Sequence, residues 1–264
     1  MIRSGAPGAE EASIAFDAGD GGVLSGAAAD AKDGTASGPA ALAWRGDVPV
    51  STLYADAYHA GDGLAEARHV YLAGCGLPER YRPGFVLAET GFGTGLNLAA
   101  AWAAWRAAGA AGSLTYVGFE AHPLSAAEMA RALGPFPGIA AEAEALVTAW
   151  ARSSGPVRRL RTPGLDAAVV VGDARETVPA WGGRADAWLL DGFAPARNPA
   201  LWEPALLAAV ARRLAPGGRA ASFTAAGRVR RALAAAGLAV ERRAGFGTKR
   251  HITVARRPEA LDDR

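Results

Sequence analysis

Residues 89–97 of the 264-residue chain read ETGFGTGLN, a glycine-rich turn between a short apolar run and a helical pattern. Glycine has no Cβ, so Gly91, Gly93 and Gly95 allow the backbone to turn tightly and to lie against a ligand. A dinucleotide-binding turn has another glycine three positions after its second, where this chain has Leu96. The turn therefore predicts a ligand site at a strand-to-helix junction, and its spacing argues against a nicotinamide-dependent oxidoreductase.

From the strand-like run before this turn onward, short apolar runs alternate with helical patterns, which is typical of a parallel sheet flanked by helices. Strands are predicted at 85–89, 114–120, 167–171, 185–190, 219–224, 239–243 and 251–255. Helices are predicted at 96–108, 124–133, 142–152, 204–214 and 226–236. The connection 244–250 is too short for a crossover helix, so the last two strands should pair antiparallel. We expect an α/β, Rossmann-like fold with a seven-stranded, mostly parallel sheet closed by an antiparallel C-terminal hairpin.

The amino-acid composition divides the chain into one globular part and a tail at each end. Residues 1–41 are mostly small or polar, with two basic and six acidic side chains, which predicts a disordered acidic tail. Residues 42–258 have the composition of one globular domain, and 259–264 form a short second tail. A single cysteine cannot form an internal disulfide, and we identify neither an export signal nor an apolar run long enough to span a membrane. The sequence predicts a cytoplasmic protein.

Acidic residues end two further predicted strands. Glu120 is placed to accept hydrogen bonds from both ribose hydroxyls of a nucleoside cofactor. Asp173 can accept from an adenine amino group while the neighbouring Ala174 amide donates to a ring nitrogen. Alternatively, Asp173 caps the following helix and Glu176 completes a capping box, and both roles can hold together.

The fourth strand ends in LLDGFAP, residues 189–195, followed by Asn198 and Trp202. An acid followed by glycine, an aromatic residue and, two positions later, proline resembles the arrangement that nitrogen methyltransferases place beside the reactive methyl group. Their chemistry needs such an acid, because an ammonium has no lone pair and must lose its proton before or during attack. The Asp191 carboxylate can take that proton or orient the amine, and the face of Phe193 can pack beside it. The alternative is an ordinary strand-to-loop turn with Phe193 in the core.

Taken together, these motifs resemble one family. The resemblance extends from about residue 44 to residue 256 and is carried by DGLAE (62–66), ETGFGTGLN (89–97), LDGFAPARNP (190–199), Trp202 and GFGTKR (245–250). It is to the methyltransferase half of the bacterial bifunctional tRNA wobble-uridine enzymes of the MnmC type, also found alone as MnmD. Where these relatives usually have Phe then Ser, this chain has His59 and Ala60, which bears on the entry side of the pocket.

The resemblance implies methyl transfer from S-adenosylmethionine to the amine of 5-aminomethyl-2-thiouridine at the tRNA wobble position. It assigns catalysis to Asp191 and Phe193, and cofactor binding to Glu89, Gly91, Gly93, Thr94, Gly95, Asn97, Glu120, Asp173, Ala174 and Asp191. We find no counterpart of the oxidase domain that removes a carboxymethyl group in the larger family members. We therefore expect a separate oxidase or another upstream tRNA-modifying enzyme to prepare the aminomethyl nucleoside.

A basic C-terminal region suits an RNA partner, the tRNA anticodon loop. Between Arg219 and Arg257 ten Lys or Arg residues accompany one acid, Glu241. Candidate RNA contacts are Asn198, Arg228, Arg230, Arg231, Lys249 and Arg250. The four histidines show no metal-ligand spacing, so no metal site is predicted. The alternatives are an N-methyltransferase acting on a small-molecule or protein amine, and an RNA-binding module without catalysis.

Overall fold

The computed structural model describes residues 38–59 and 61–259. Its strands are β1 Leu42–Arg45, β2 Val48–Ser51, β3 Asp56–Ala57, β4 Val86–Thr90, β5 Leu114–Glu120, β6 Val157–Thr162, β7 Leu165–Val171, β8 Ala185–Leu190, β9 Leu214–Ser222, β10 Ala239–Ala244 and β11 His251–Arg256. Its α-helices are α1 Gly63–Glu66, α2 Leu96–Ala107, α3 Ala126–Leu133, α4 Ala140–Ala151, α5 Ala174–Ala180, α6 Pro204–Arg213 and α7 Gly227–Ala235. A π-helix at Ala67–Leu72 and 3-10 turns at Pro137–Ile139 and Pro199–Trp202 complete the secondary structure of these residues.

Eight strands form the central sheet in the order β10-β11-β9-β8-β4-β5-β7-β6. Strands β9, β8, β4, β5 and β7 run parallel, whereas β6, β10 and β11 pair antiparallel with their neighbours. The predicted α/β fold and the antiparallel C-terminal hairpin are confirmed. Because β4, β5, β7 and β8 are parallel neighbours, their carboxyl ends meet at one edge, where ligands bind in open α/β sheets.

The predicted count of seven strands is wrong, because β6 was missed. Its sequence, VRRLRT, has a single fully buried side chain, Leu160, and three arginines. An edge strand needs little apolar sequence because it has a neighbour on one side only, so it gives a weak local signal. Strand β9 also begins at Leu214, five residues before the predicted start of that strand at residue 219.

A second, three-stranded antiparallel sheet, β1-β2-β3, was also missed. It is joined to the main domain where the Asp56 carboxylate accepts a hydrogen bond from the Ala194 amide, 2.9 Å away. Of the predicted N-terminal tail, residues 1–37 lie outside the described residues, and the Gly38 amide donates to the Ala121 carbonyl at 3.1 Å. The small sheet therefore lies against the loops at the carboxyl edge of the central sheet.

Apolar side chains cover both faces of the central sheet. One cluster includes Trp102, Trp105 and Trp150 with helices α2 and α4, and the other packs helices α5, α6 and α7. In the second cluster the rings of Phe119 and Trp188 stack at 5.8 Å with 2° between their planes. Such aromatic pairs contribute more than their buried area alone. The carboxyl edge is thus supported by rigid packing on both sides.

The single cysteine lies inside the domain. The Cys75 thiol is fully buried, and its sulfur lies 3.8 Å from the Trp188 carbonyl oxygen and 3.7 Å from that of Arg219. Burial raises the pKa of this thiol to about 12, so it stays protonated at neutral pH. No helix within the described ranges has the length and apolar character needed to cross a membrane.

We expect Trp188→Ala to lower the free energy of unfolding by about 3–5 kcal/mol, because it leaves a large cavity in the packed core. Leu53→Ala is the control, since Leu53 is 49% exposed and its truncation should cost about 0.5 kcal/mol or less. Urea unfolding followed by circular dichroism measures both. Equal losses for the two variants would contradict the packing described for Trp188.

Candidate active site

A cavity of about 720 Å³ opens at the carboxyl edge of the central sheet, where four of the predicted motifs meet. Its walls include the turn after β4, Glu120 at the end of β5, the start of α5, and the loop after β8. The predicted residues that line it are Gly91, Gly93, Thr94, Asn97, Glu120, Asp173, Ala174, Asp191, Phe193, Asn198 and Lys249. The parallel sheet thus brings residues more than a hundred positions apart to one site.

The glycine turn needs glycine for two different reasons. Gly91 has φ 76°, and a Cβ there would lie 2.9 Å from the Asp191 carbonyl oxygen, so the turn passes directly beside the loop after β8. Gly95 has φ 80°, but a Cβ there would lie 2.9 Å from Leu146 in the core. Gly95 does not line the cavity, and its role is to let α2 begin against packed side chains.

Asn97 joins two carboxylates. Its amide nitrogen donates to Glu89 Oε1 at 2.6 Å and to Asp191 Oδ2 at 2.7 Å. Glu89 is fully buried, and its other oxygen accepts a hydrogen bond from the Tyr116 hydroxyl. Direct contact between Glu89 and a cofactor was expected, but the structure places Glu89 behind Asn97 and outside the cavity lining. Of this group only Asn97 and Asp191 line the cavity, and Glu89 is joined to it by its hydrogen bond from Asn97.

The Asp191 carboxyl has an unusual affinity for protons. Burial raises its pKa to about 6, against hydrogen bonds from Tyr71, the Gly192 amide and Asn97 that favour the charged form. Burial also raises the pKa of Glu89, and the charge of Asp191 adds to that shift. Asp191 can therefore exchange a proton near neutral pH, which an ordinary surface aspartate does not do.

Glu120 supports the glycine turn from the neighbouring strand. Its Oε2 accepts from the Gly93 amide at 2.7 Å, and its Oε1 accepts from the His122 amide at 2.8 Å. A carboxylate oxygen has two lone pairs, so both oxygens retain acceptor capacity toward the cavity. The geometry is compatible with the predicted ribose contact. It also shows that Glu120 holds the glycine turn through the Gly93 amide, which the sequence did not reveal.

Asp173 caps α5. Its Oδ1 accepts from the Arg175 amide at 2.8 Å, and the Arg175 guanidinium pairs with Oδ2 at 2.7 Å. The helix-cap alternative is therefore present, but without the expected capping box, because the amide of Arg175 and not that of Glu176 is the donor. Although burial opposes the effect, hydrogen bonds from Arg175 lower the pKa of Asp173. Asp173 still lines the cavity as a charged acceptor, so the adenine contact stays a prediction.

An aromatic wall faces the cavity beside Asp191. The Phe193 ring stacks on Tyr54 at 4.8 Å and meets the edge of Tyr58 at 5.0 Å. The Trp202 indole holds the loop by donating to the Phe193 carbonyl at 2.9 Å. Phe193 is half-buried and lines the cavity, so the alternative of a plain core residue is wrong. The sequence analysis missed both tyrosines, because nothing near them in the sequence shows that the small sheet carries them to this loop.

The predicted RNA contacts divide into two sets. Lys249 and Asn198 line the cavity, and Asn198 also caps a 3-10 turn through the Leu201 amide. The four arginines do not line it. Arg228 donates to the Pro195 carbonyl and Arg230 donates to the Ala225 carbonyl at 3.3 Å, and Arg228, Arg231 and Arg250 are exposed. Across residues 38–59 and 61–259, no three His, Cys, Asp or Glu side chains come close enough together to hold a metal ion.

The chain is similar to a family of methyltransferases and to several known proteins. A family model described as S-adenosyl-L-methionine-dependent methyltransferase matches residues 137–258. The tRNA 5-methylaminomethyl-2-thiouridine biosynthesis bifunctional protein MnmC of Caulobacter vibrioides is 49% identical over 231 residues, covering 85% of this chain and 39% of that protein. Its namesake from Thiobacillus denitrificans is 44% identical over 224 residues, covering 83% and 36%. The crystal structure of MNMC2 from Aquifex aeolicus aligns with a TM-score of 0.65 at 24% identity, covering 83% of this chain and 70% of that one.

These comparisons confirm the predicted resemblance and the predicted cofactor, S-adenosylmethionine. The chain spans well under half the length of the curated relatives that it matches, and the matched part is their methyltransferase portion. The structural likeness to MNMC2 independently supports the fold.

The raised pKa of Asp191 predicts a pH dependence of stability. The folded protein holds a proton up to about pH 6 that the unfolded chain releases near its ordinary pKa of 3.8, so this group destabilises the fold as pH rises through that window. Urea unfolding between these pH values should show the wild-type protein losing stability relative to Asp191→Asn. Asp173→Asn is a control for which the opposite pH dependence is expected. Because the pKa of Asp173 is lowered in the folded protein, its charged form stabilises the fold, and that stabilisation is lost as pH falls. A pH-independent difference between wild type and Asp191→Asn would contradict the assignment.

Proposed function

We propose that the chain is an S-adenosylmethionine-dependent methyltransferase and that it methylates the exocyclic amine of 5-aminomethyl-2-thiouridine at the wobble position of tRNA, giving 5-methylaminomethyl-2-thiouridine. The observation that carries the proposal is Asp191, a carboxyl with a pKa of about 6 that lies between the glycine turn and an aromatic wall. The names of the related MnmC proteins support this choice of nucleoside.

The residues around the cavity fit the cofactor. Backbone at Gly91 and Gly93 lies where side chains would crowd the site, since a Cβ on Gly93 would come within 3.1 Å of the Tyr58 ring. In the proposal, Glu120 binds the ribose hydroxyls and Asp173, with the Ala174 amide, binds the adenine. Thr94 and Asn97 face the remaining part of the cofactor. When bound, the cofactor would supply an electrophilic methyl group for the transfer.

Asp191 prepares the amine. An alkylammonium cannot act as a nucleophile until it loses a proton, and a carboxylate within hydrogen-bond reach can accept that proton or orient the lone pair. General-base assistance of this kind contributes about 10²- to 10⁴-fold. A pKa of about 6 lets Asp191 be charged when the amine arrives. The carboxylate can then accept the proton of the amine before or during methyl transfer. Asn97 fixes the direction of the carboxylate, which reduces the motion needed to reach a reactive arrangement.

The aromatic wall and the exposed arginines near the C-terminus complete the proposed substrate site. The faces of Phe193 and Tyr54 offer flat apolar surface for a base that has left its stack. Among the predicted phosphate contacts, Arg228, Arg231 and Arg250 are exposed, and Arg228 also donates to the Pro195 carbonyl in the loop after β8. In this proposal the partner is a tRNA anticodon loop in the cytoplasm. A separate oxidase or another upstream enzyme would supply the aminomethyl nucleoside.

The direct test is methyl transfer in vitro. We expect the purified protein with S-adenosylmethionine to convert tRNA carrying 5-aminomethyl-2-thiouridine, with nucleoside mass spectrometry detecting the methylated product. Asp191→Asn removes the proton acceptor with little change of shape and should reduce turnover by at least about a hundredfold. Cofactor binding without transfer to this tRNA would favour a small-molecule or protein amine as acceptor. Absence of cofactor binding would favour an RNA-binding module without catalysis.

The proposed ribose contact predicts an effect on cofactor binding that can be measured without methyl transfer. Glu120→Ala should weaken binding of S-adenosylmethionine by about 1–3 kcal/mol, because a charged hydrogen-bond acceptor is lost. Calorimetric titration measures the change, and Glu128→Ala in the exposed capping box of α3 is the control for removing an acid elsewhere. An unchanged dissociation constant in Glu120→Ala would reject the ribose assignment.

A further inference from the structure

Lys249 does not lie where a phosphate contact would be expected. Its ammonium pairs with Glu66 Oε1 at 2.7 Å and lies 4.2 Å from the centre of the Phe223 ring. The Lys249 side chain is 36% exposed and that of Glu66 is 11% exposed. All three residues line the same cavity as Asp191. Lys249 therefore lines the candidate active site, whereas the predicted arginine contacts lie outside the cavity.

Three separate elements hold this lysine in place. Glu66 is the last residue of α1, Phe223 directly follows β9, and Lys249 lies in the turn between β10 and β11. A cation that is paired with a carboxylate and lies near an aromatic ring has little freedom to move. The ammonium has three N–H groups and the carboxylate contact uses one, so donors remain for a ligand.

The charges around Lys249 indicate what kind of ligand it can bind. Glu66 is close enough to Asp191 that its charge contributes to raising the Asp191 pKa, so two carboxylates share this part of the wall. A phosphate placed against Lys249 would be repelled by both carboxylates. A neutral carbonyl-type acceptor on a flat ring would not be repelled, and the ring could lie against Phe223.

We propose that Lys249, positioned by Glu66, donates a hydrogen bond to a carbonyl-type acceptor on the nucleobase that carries the reacting amine. The inference rests on the proposed function and assigns recognition of the acceptor base to these two residues. In this proposal Lys249 hydrogen-bonds to the base inside the cavity, whereas arginines such as Arg231 bind the RNA backbone outside it.

Salt dependence separates the two kinds of contact. Loss of a phosphate contact weakens RNA binding and lowers the slope of log affinity against log salt by about one, whereas loss of a base contact leaves the slope unchanged. We expect Lys249→Met to reduce kcat/KM for the aminomethyl tRNA about 10- to 100-fold, as loss of a charged hydrogen bond does. Its salt slope and its dissociation constant for S-adenosylmethionine should remain those of the wild type. Arg231→Met is the matched control and should lower the slope.

Glu66→Gln tests the positioning role. It should reduce kcat/KM in the same direction, and the double variant with Lys249→Met should be no worse than Lys249→Met alone, because both changes remove one interaction. A lowered salt slope in Lys249→Met, or unchanged kcat/KM, would overturn the inference while the proposed function stands. Additive losses in the double variant would overturn the positioning by Glu66. Absence of transfer by the wild-type protein would overturn the proposed function and this inference with it.

Discussion

One side-chain amide holds the centre of this site together. Asn97, in the first turn of α2, donates to Glu89 on β4 and to Asp191 after β8. Two buried carboxyl groups lose the hydrogen bonds that water gives them, and leaving them without partners costs several kcal/mol in a protein interior. The amide satisfies both acceptors and fixes their separation. The glycine turn, the start of α2 and the loop that carries Phe193 are therefore tied to one another, and the proposed roles of Asp191 and Phe193 depend on that tie.

Much of this arrangement is visible in the sequence because parallel strands place their carboxyl ends together. Once strands are assigned before Gly91, at Glu120, before Asp173 and before Asp191, topology alone brings these residues to one edge. Contacts between distant segments leave no comparable signal. The hydrogen bond from Ala194 to Asp56 joins residues 138 positions apart and holds β3, with Tyr54 and Tyr58 on either side of it, at the cavity, but no local pattern predicts it.

The charged residues show the same limit. Counting Lys and Arg gave a basic C-terminal region, and a count treats Lys249 and Arg231 alike. The fold separates them: the tight turn between β10 and β11 directs Lys249 to Glu66, while Arg231 on α7 stays exposed. Similarly, the first acid of the glycine motif was expected in the cavity, yet full burial and the Tyr116 hydroxyl keep Glu89 behind it. Sequence motifs predicted the edge of the sheet where the cavity lies, and packing determined which side chains line that cavity.

The buried thiol of Cys75 has a practical consequence. With a pKa of about 12 and no exposed surface, the chain's single cysteine will not react with maleimide or thiosulfonate reagents at neutral pH. The natural sequence therefore serves as its own unreactive background for site-specific labelling. A cysteine introduced on the small sheet and another on α7 would each carry a probe without first removing a native residue. The distance between two such probes would report whether the aromatic wall moves when RNA binds.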